Sequence, residues 1–524
     1  MAEEQKGSLS ETSAEDKENV VLSLEKGTPA DKQETLALKN ILETKFELGE
    51  DPTSEALLRE VLAKLRNVIK DWVRQTAIKK KQSPEITENA GGEIYISGSF
   101  RLGVHGKTSD IDALCVVPRF VDRDKDFFIE LFEILKKNKD IKDLQGIKDA
   151  HVPIIKMKFL NVDIDLLFAR LAFETISENL DLHDDNVLKG CDNEAIFSLN
   201  ACRNNDLIIK LVPNKESFKI VLKTVKVWAK SRDLYSNKIG YLGGIAWAIL
   251  TAKTCQLYPN LPPNRLLEKL FFTFYKWNWK IPVMLCELRE PKGLSLSSAN
   301  QNWNPKAVDQ GELMPIITPA FPSINSTFNV SQTTRRILVK ELYRAAKITR
   351  KINNKAPGYT WMSLFKRYDF FKEYFHYLRV DILSQNPDSH LLWEGLVESR
   401  IRVLITCIER TGKGVEQLHP YTKRFELVDH NYKHCTTFLI GFKLTPAESG
   451  KVEVDLREPI CSFCDNLIRH RYCIEKERNL RITHVTRDKL PNDVFENGIR
   501  PRYPKGRKDS SEIDEVPKKK AKYE

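Results

Sequence analysis

Gly98-Ser99-Phe100-Arg101-Leu102-Gly103, Ser109-Asp110-Ile111-Asp112-Ala113-Leu114 and Val162-Asp163-Ile164-Asp165-Leu166-Leu167 decide how this chain is read. Side chains alternate faces along an extended strand, so Asp110 and Asp112 point the same way, and a second strand can bring Asp165 beside them. Acids gathered on one sheet face repel one another unless divalent cations neutralise them. Mg²⁺ takes hard oxygen ligands and keeps a bound phosphate. Two such ions clamp the attacking and leaving oxygens of an in-line phosphoryl displacement. Asp-x-Asp alone is common at solvated surfaces. Here the apolar runs Ala113-Leu114-Cys115-Val116-Val117 and Leu166-Leu167-Phe168-Ala169 are of a buried-strand type, and acids set in such runs carry a desolvation cost that needs a partner. A Gly-Ser turn after Ile94-Tyr95-Ile96 brings backbone N–H groups close to phosphate oxygens. The ordered combination points to a nucleotidyl-transfer site.

A chain of 524 residues favours several domains. The formal charge of +11 favours a polyanionic partner, although ordinary solubility charge reads the same way. No export signal is expected from the polar opening Met1-Ala2-Glu3-Glu4. No membrane span is expected either, since the longest apolar candidate, Tyr241 to Ala252, is short and glycine-broken. Scattered cysteines fit a reducing cytosolic or nuclear compartment, where the sequon Asn325-Ser326-Thr327 goes unused. Cys461, Cys464, His470 and Cys473 suggest zinc at first sight. Ile460, Phe463, Cys464, Leu467 and Ile468 follow helical spacing instead, so a buried helix face is the better reading.

Along the chain, residues 1–36 are polar and read as a disordered arm. Leu57, Leu58, Val61, Leu62, Leu65, Val68 and Ile69, extended by Trp72, then make an amphipathic helix. An α/β unit follows, with strands near 94–97, 111–117, 154–159 and 162–168 and a helix over 126–137. Lys156 and Lys158 alternate with apolar neighbours, and Leu160-Asn161 reads as a tight turn into the strand of Asp163 and Asp165. The pattern is mainly helical from about 171 to 350. In the helix over 217–231, Lys219, Lys223, Lys226 and Lys230 form a stripe opposite an apolar one. It reads either as a solvated face or as point charges along a triphosphate or an RNA strand. Tyr235-Ser236-Asn237 and Gly243-Gly244 favour the second reading, because paired glycines open the next helix to close approach. The proline-rich stretch Leu313 to Pro322 suggests no chemistry. Helices near 391–409 and 459–473 and strands near 437–444, 452–456 and 481–485 suggest a small α/β sandwich without an aromatic ribonucleoprotein motif. Two basic clusters, Pro504-Lys505-Gly506-Arg507-Lys508 and Pro517-Lys518-Lys519-Lys520, read as a nuclear import signal or as a polyelectrolyte tail.

These motifs resemble the eukaryotic nuclear poly(A) polymerases over roughly residues 50–485. The most specific matches are Gly98 to His105, Asp110 to Val116, Ile164 to Leu171, Ser198-Leu199-Asn200, Trp228-Ala229-Lys230, Tyr235-Ser236-Asn237, Leu242-Gly243-Gly244 and Leu313 to Ala320. The resemblance implies an α+β multidomain chain. A polymerase-beta-like nucleotidyltransferase domain would occupy 37–170, with its first helices open to joining the next domain. A helical central domain would span 171–355, an RRM-like RNA-binding domain 356–490, and a basic disordered tail 491–524. It implies that Asp110 and Asp112 bind two ions, Mg²⁺ or Mn²⁺, and that Asp165 joins at the ion activating the primer hydroxyl. Gly98 and Ser99 would contact phosphates, Lys226 and Lys230 the triphosphate, and Tyr235 phosphate or sugar. Asn200 would contact the ribose, while Asn237, Gly244 and Ile245 would border the base. Val152 and Lys156 would touch adenine and the primer's last nucleotide, and Asp163 would not be a ligand. Ser97 stands where vertebrate members have phenylalanine, and Ile245 where some have valine.

The expected activity is template-independent transfer of AMP from ATP to an RNA 3′ end with release of pyrophosphate, by a nuclear monomer working with pre-mRNA cleavage and polyadenylation factors. Its rivals are a uridylyl- or mixed-nucleotide transferase of the same fold, an inactive RNA-binding scaffold, and a nuclease or cyclising synthase.

Overall fold

The computed structural model describes residues 21–49, 51–107, 109–148, 152–178, 180–291, 302–308, 311–445, 454–469 and 478–502. Packing divides the chain into two units. The first comprises Met1–Tyr235, Leu242–Val330 and Leu338–Lys366, and the second Ser236–Tyr241, Ser331–Ile337 and Arg367–Glu524.

In the first unit, helix α1 (Pro29–Phe46) begins inside the stretch expected to be disordered. Two causes, one local and one distant, correct that expectation. Thr28 and Asp31 form a reciprocal capping box. Asp31 also accepts from Asn264 at 2.9 Å and pairs with Arg265 at 2.7 Å, which anchors the helix start. The amphipathic stripe becomes α2 (Pro52–Lys79), whose Val61, Leu65, Ile69 and Trp72 are buried. The short α3 (Pro84–Glu88) leads into β1 (Glu93–Ser97), the single turn α4 (Gly98–Arg101) and β2 (Ile111–Val117). The helix expected over 126–137 starts earlier, as a π-helical run Arg123–Leu131 capped by Asp122, and continues as α5 (Phe132–Lys137).

Three further strands complete the sheet: β3 (Ile141–Ile147), β4 (Ile154–Phe159) and β5 (Val162–Arg170), in the order β1-β2-β5-β4-β3. Strand β3 was not anticipated. Its Asp143 has φ 51°, and the register shifts between Lys142 and Gln145, so the two-residue period is lost. Leu160 and Asn161 both have positive φ, 49° and 66°, as the two-residue β4–β5 hairpin requires.

Alternation sorts the sheet's two faces. Ile111, Ala113 and Cys115 pack with α2 and the 123–135 helical segment, while Leu114, Val116 and Ala169 pack under Ile196 and Leu199 of α6 (Asn193–Leu211). Helices α7 (Lys215–Ser231), α8 (Gly244–Leu257), α9 (Pro263–Lys276), α10 (Gln332–Asn353) and the short α11 (Trp361–Leu364) follow. The proline-rich stretch is a buried strap. Ile317 donates to the Val283 carbonyl at 3.0 Å, and Ala320 donates to Asn204 of α6 at 2.8 Å.

The second unit holds α12 (Phe370–Glu373), β6 (His376–Ser384), α13 (Pro387–Thr411), β7 (Val415–Glu426), β8 (His434–Leu444), α14 (Arg457–Ile468) and β9 (Arg478–Thr486). The β-α-β-β-α-β succession, with antiparallel order β7-β8-β6-β9, gives the expected RRM-like topology. Strands β6 and β7 went unread: β6 is buried on both faces, and β7 carries Pro420 and register shifts. The strand expected near 452–456 falls partly outside the described residues, and Asp455 makes only an isolated bridge to Lys413. Cys461 and Cys464 lie on α14 as read, while His470 and Cys473 fall outside the described residues.

The tail expected to be disordered from 491 is structured where it is described. Val494 and Phe495, at 3% and 4% exposure, join Tyr377, Leu383 and Leu439 in an aromatic-rich core, because their apolar surface finds one sheet face to cover. Both basic clusters of the tail, beginning at Pro504 and Pro517, lie outside the described residues.

Candidate active site

The register of the first sheet sets Ser97, Asp112, Asp165 and Lys156 side by side across four strands. Asp112 pairs with Asp165 on parallel neighbours, and Lys156 of β4 reaches Asp165 at 2.8 Å. The row lies at the start of β2, on the face that α6 covers further along. Asp110 is exposed, one residue before β2 begins. Asp163, two residues before Asp165 on the same face of β5, is exposed and pairs with Lys158 at 3.5 Å.

Burial, then the charges of Asp165 and Asp110, push the Asp112 carboxyl up to about 6, while Lys156 and Lys226 oppose the rise. Among the described residues no three His, Cys, Asp or Glu side chains are gathered as a metal site. Like charge keeps carboxylates apart, and the Lys156 ammonium supplies one counter-charge to Asp165. The donor set still fits a divalent cation. It is made of hard carboxylate oxygens, two of them in cross-strand register, and one carries negative charge that its surroundings do not fully compensate.

The turn beside the acids leaves no room for a side chain. Gly98 has φ +66°, and a Cβ there would sit 1.9 Å from Asp112 Oδ2. The Asp112 carboxylate therefore lies against the backbone of the Gly98-Ser99 turn. Asn205 of α6 donates to the Gly98 carbonyl at 3.4 Å and is buried. Phe100 and His105 stack at 3.9 Å with an interplanar angle of 13°, closing the loop that follows. Sequence reading missed both Asn205 and this stack, because each depends on contacts between turns rather than on a motif.

The lysine stripe of α7 is divided by partner. Lys219 pairs with Glu216, Lys223 donates to the Leu48 carbonyl at 2.8 Å, and Lys226 donates to the Val104 carbonyl at 3.2 Å. Lys230 is exposed, 5.5 Å from the centroid of the Tyr235 ring. Burial, Lys230 and Lys223 lower Lys226 to about 8, against the pull of Asp112. The Tyr235 hydroxyl is shifted upward by burial and by Asp112, which places it within the electrostatic reach of the acid row. That hydroxyl also lies where a Cβ on Gly244 would come within 2.7 Å, so the first turn of α8 needs glycine for this approach. Ile245 follows, partly buried.

Three expected contacts are placed differently from the rest. Asn200 is buried, its Nδ2 donating to the Pro322 carbonyl at 3.3 Å and its Oδ1 accepting from Arg203 at 3.3 Å. In this geometry it ties α6 to the proline-rich strap. Asn237 lies in Ser236–Tyr241, which belongs to the second unit. Val152 is partly buried, just before β4.

Paired acids beside a Gly-Ser turn, faced by a lysine helix, define the catalytic module of a nucleotidyltransferase. Residues 21–212 match the nucleotidyltransferase domain of poly(A) polymerase, 217–367 its central domain, and 369–433 with 428–503 its predicted RNA-binding domain. The chain belongs to the poly(A) polymerase family. Nuclear poly(A) polymerase 2 of Arabidopsis thaliana is 37% identical over 486 residues, 91% of this chain and 59% of its own length. Poly(A) polymerase of Dictyostelium discoideum is 38% identical, covering 86% of this chain and 56% of itself. Nuclear poly(A) polymerase 1 of Arabidopsis thaliana is 40% identical, covering 88% and 64%. The chain thus spans about three fifths of the length of these relatives. A solved cytoplasmic RNA terminal U-transferase resembles it with a TM-score of 0.44 at 18% identity, over 64% of this chain and 99% of its own, too distant to bear on nucleotide choice.

Proposed function

We propose that this chain is a polynucleotide adenylyltransferase, adding AMP from ATP to RNA 3′ ends without a template. The observation that carries the reading is the cross-strand row of Asp112 and Asp165 beside the Gly98 turn. The 3′ hydroxyl oxygen bonds to the α-phosphorus of ATP, the bond from that phosphorus to the β-bridging oxygen breaks, and pyrophosphate leaves. Asp110, Asp112 and Asp165 would hold two divalent cations, Mg²⁺ or Mn²⁺, which when bound acidify the attacking hydroxyl and neutralise the departing charge.

The chain's own groups do the positioning, which supplies most of the acceleration in phosphoryl transfer. Backbone N–H groups of Gly98 and Ser99 take phosphate oxygens. Lys226 gives the triphosphate a desolvated ammonium, Lys230 adds a second cation from the exposed end, and Tyr235 orients phosphate or sugar. Gly244 and Ile245 form one wall of the base site. Val152 and Lys156 meet adenine and the last primer nucleotide. Asn200 contacts the ribose only after releasing the Pro322 carbonyl, so its part is assigned first to holding α6.

Nuclear residence fits the names of the Arabidopsis relatives, and the partners expected are pre-mRNA cleavage and polyadenylation factors. The test is primer extension with each labelled NTP offered separately, comparing parent with Asp165→Ala. Extension with ATP, abolished in the variant, is expected. A preference for UTP would move the reading to a uridylyltransferase, and unchanged extension by Asp165→Ala would refute the site.

A further inference from the structure

Helix α10 is far more basic than its packing needs. Gln332–Asn353 holds seven Lys and Arg residues and a single acid, Glu341, which is buried against Arg232 at 2.8 Å. Within the part of α10 that belongs to the first unit, Lys340, Tyr343, Lys347, Arg350 and Lys351 are exposed at helical spacing. Aromatic rings lie between these cations. Tyr343 contacts Tyr275 of α9, with ring centroids 4.6 Å apart. Lys347 stands 4.2 Å over the Tyr343 ring, Lys276 stands 4.9 Å over Tyr275, and Lys351 stands 4.3 Å over Tyr359. The acid of α9, Glu268, is occupied by Asn353 and Arg265. The face therefore presents positive charge and π surface together, with both neighbouring acids engaged.

We propose that this face of α9 and α10 binds single-stranded RNA, as a surface additional to the adenylyl-transfer site. The inference rests on the proposed activity only in taking RNA as the polyanion at hand. A lysine row tracking phosphates, with aromatic rings on which bases stack, is the general composition of sequence-tolerant single-strand binding. Lys347 and Lys351 are about 6 Å apart along the helix axis and Lys340 and Lys347 about 10 Å, a stagger that lets one strand meet each in turn. An acidic peptide would use the cations but leave the tyrosines without a purpose. The exposed rings therefore favour nucleic acid.

The test measures equilibrium binding of a long and a short single-stranded RNA to the full chain across a salt series. The variants are Lys340→Ser/Lys347→Ser/Lys351→Ser and, separately, Tyr343→Ala. For the long RNA the triple variant should lose about 2 from the slope of log affinity against log salt, and Tyr343→Ala should weaken binding about tenfold. Extension of a short primer with ATP should stay at the parental rate in both, with parental thermal unfolding. Parental slope and affinity for the long RNA in both variants would overturn the inference, as would loss of poly-glutamate binding alone. Failure of the parent itself to extend a primer would count against the proposed activity instead.

Discussion

Replacing Gly98 by alanine tests the site at its tightest point. The residue sits at φ +66°, where an L side chain costs about 1–2 kcal/mol. The added Cβ would lie 1.9 Å from Asp112 Oδ2 and 2.9 Å from its Cγ. Relieving that overlap moves the carboxylate by about 1 Å, and a misplacement of that size costs roughly 10²-fold in rate. Gly103→Ala separates the two effects. Its φ is +67°, yet the nearest atom to a new Cβ is the flexible Lys219 Cε at 3.0 Å. Both variants should lose about 2–8 °C in Tm. Only Gly98→Ala should lose about two orders of magnitude in kcat for primer extension, read with labelled ATP at saturation. Near-parental kcat in Gly98→Ala, or an equal loss in Gly103→Ala, would refute the claim that the turn positions Asp112.

Lys226 is held down to about 8 by burial and its lysine neighbours, so it is charged below that pH and neutral above it. The KM for ATP should therefore rise as pH increases from 7 to 9, and Lys226→Arg, which stays charged throughout, should flatten that rise; an equally steep profile in the variant would disprove the assignment. Glu341→Ala strands the buried Arg232 guanidinium, now paired at 2.8 and 2.9 Å. It should cost about 3–5 kcal/mol in urea unfolding, and a loss below about 1 kcal/mol would mean that the pair is replaced by solvent. Phe495→Ala should cost the second unit about 3–5 kcal/mol. A parental denaturation midpoint would show that the segment after β9 does not build its core.

The acid motifs were legible because strand alternation and apolar context are local properties. Strands β2, β4 and β5 and helices α2, α7 and α13 all announced themselves by period. Helix α1 and the 491–499 segment were misread, because composition argued for disorder while distant partners, Asn264 and Arg265 for the one and Tyr377 and Leu439 for the other, made order favourable. Strand β3, with a positive φ and a register shift, and β6, buried on both faces, lacked the alternation that marks a half-buried strand.

The sequence by itself determined the chemistry available here: which acids, which lysines, and a glycine where the chain must turn. Only the tertiary structure decided which of them meet. Register, a relation between strands far apart in the chain, set Asp112 beside Asp165 and Lys156 on the latter. Packing assigned each α7 lysine its own carbonyl, acid or ring, and committed Asn200 to a buried strap. Spacing along a chain constrains faces, but burial and partnership arise from elements that the chain brings together only on folding.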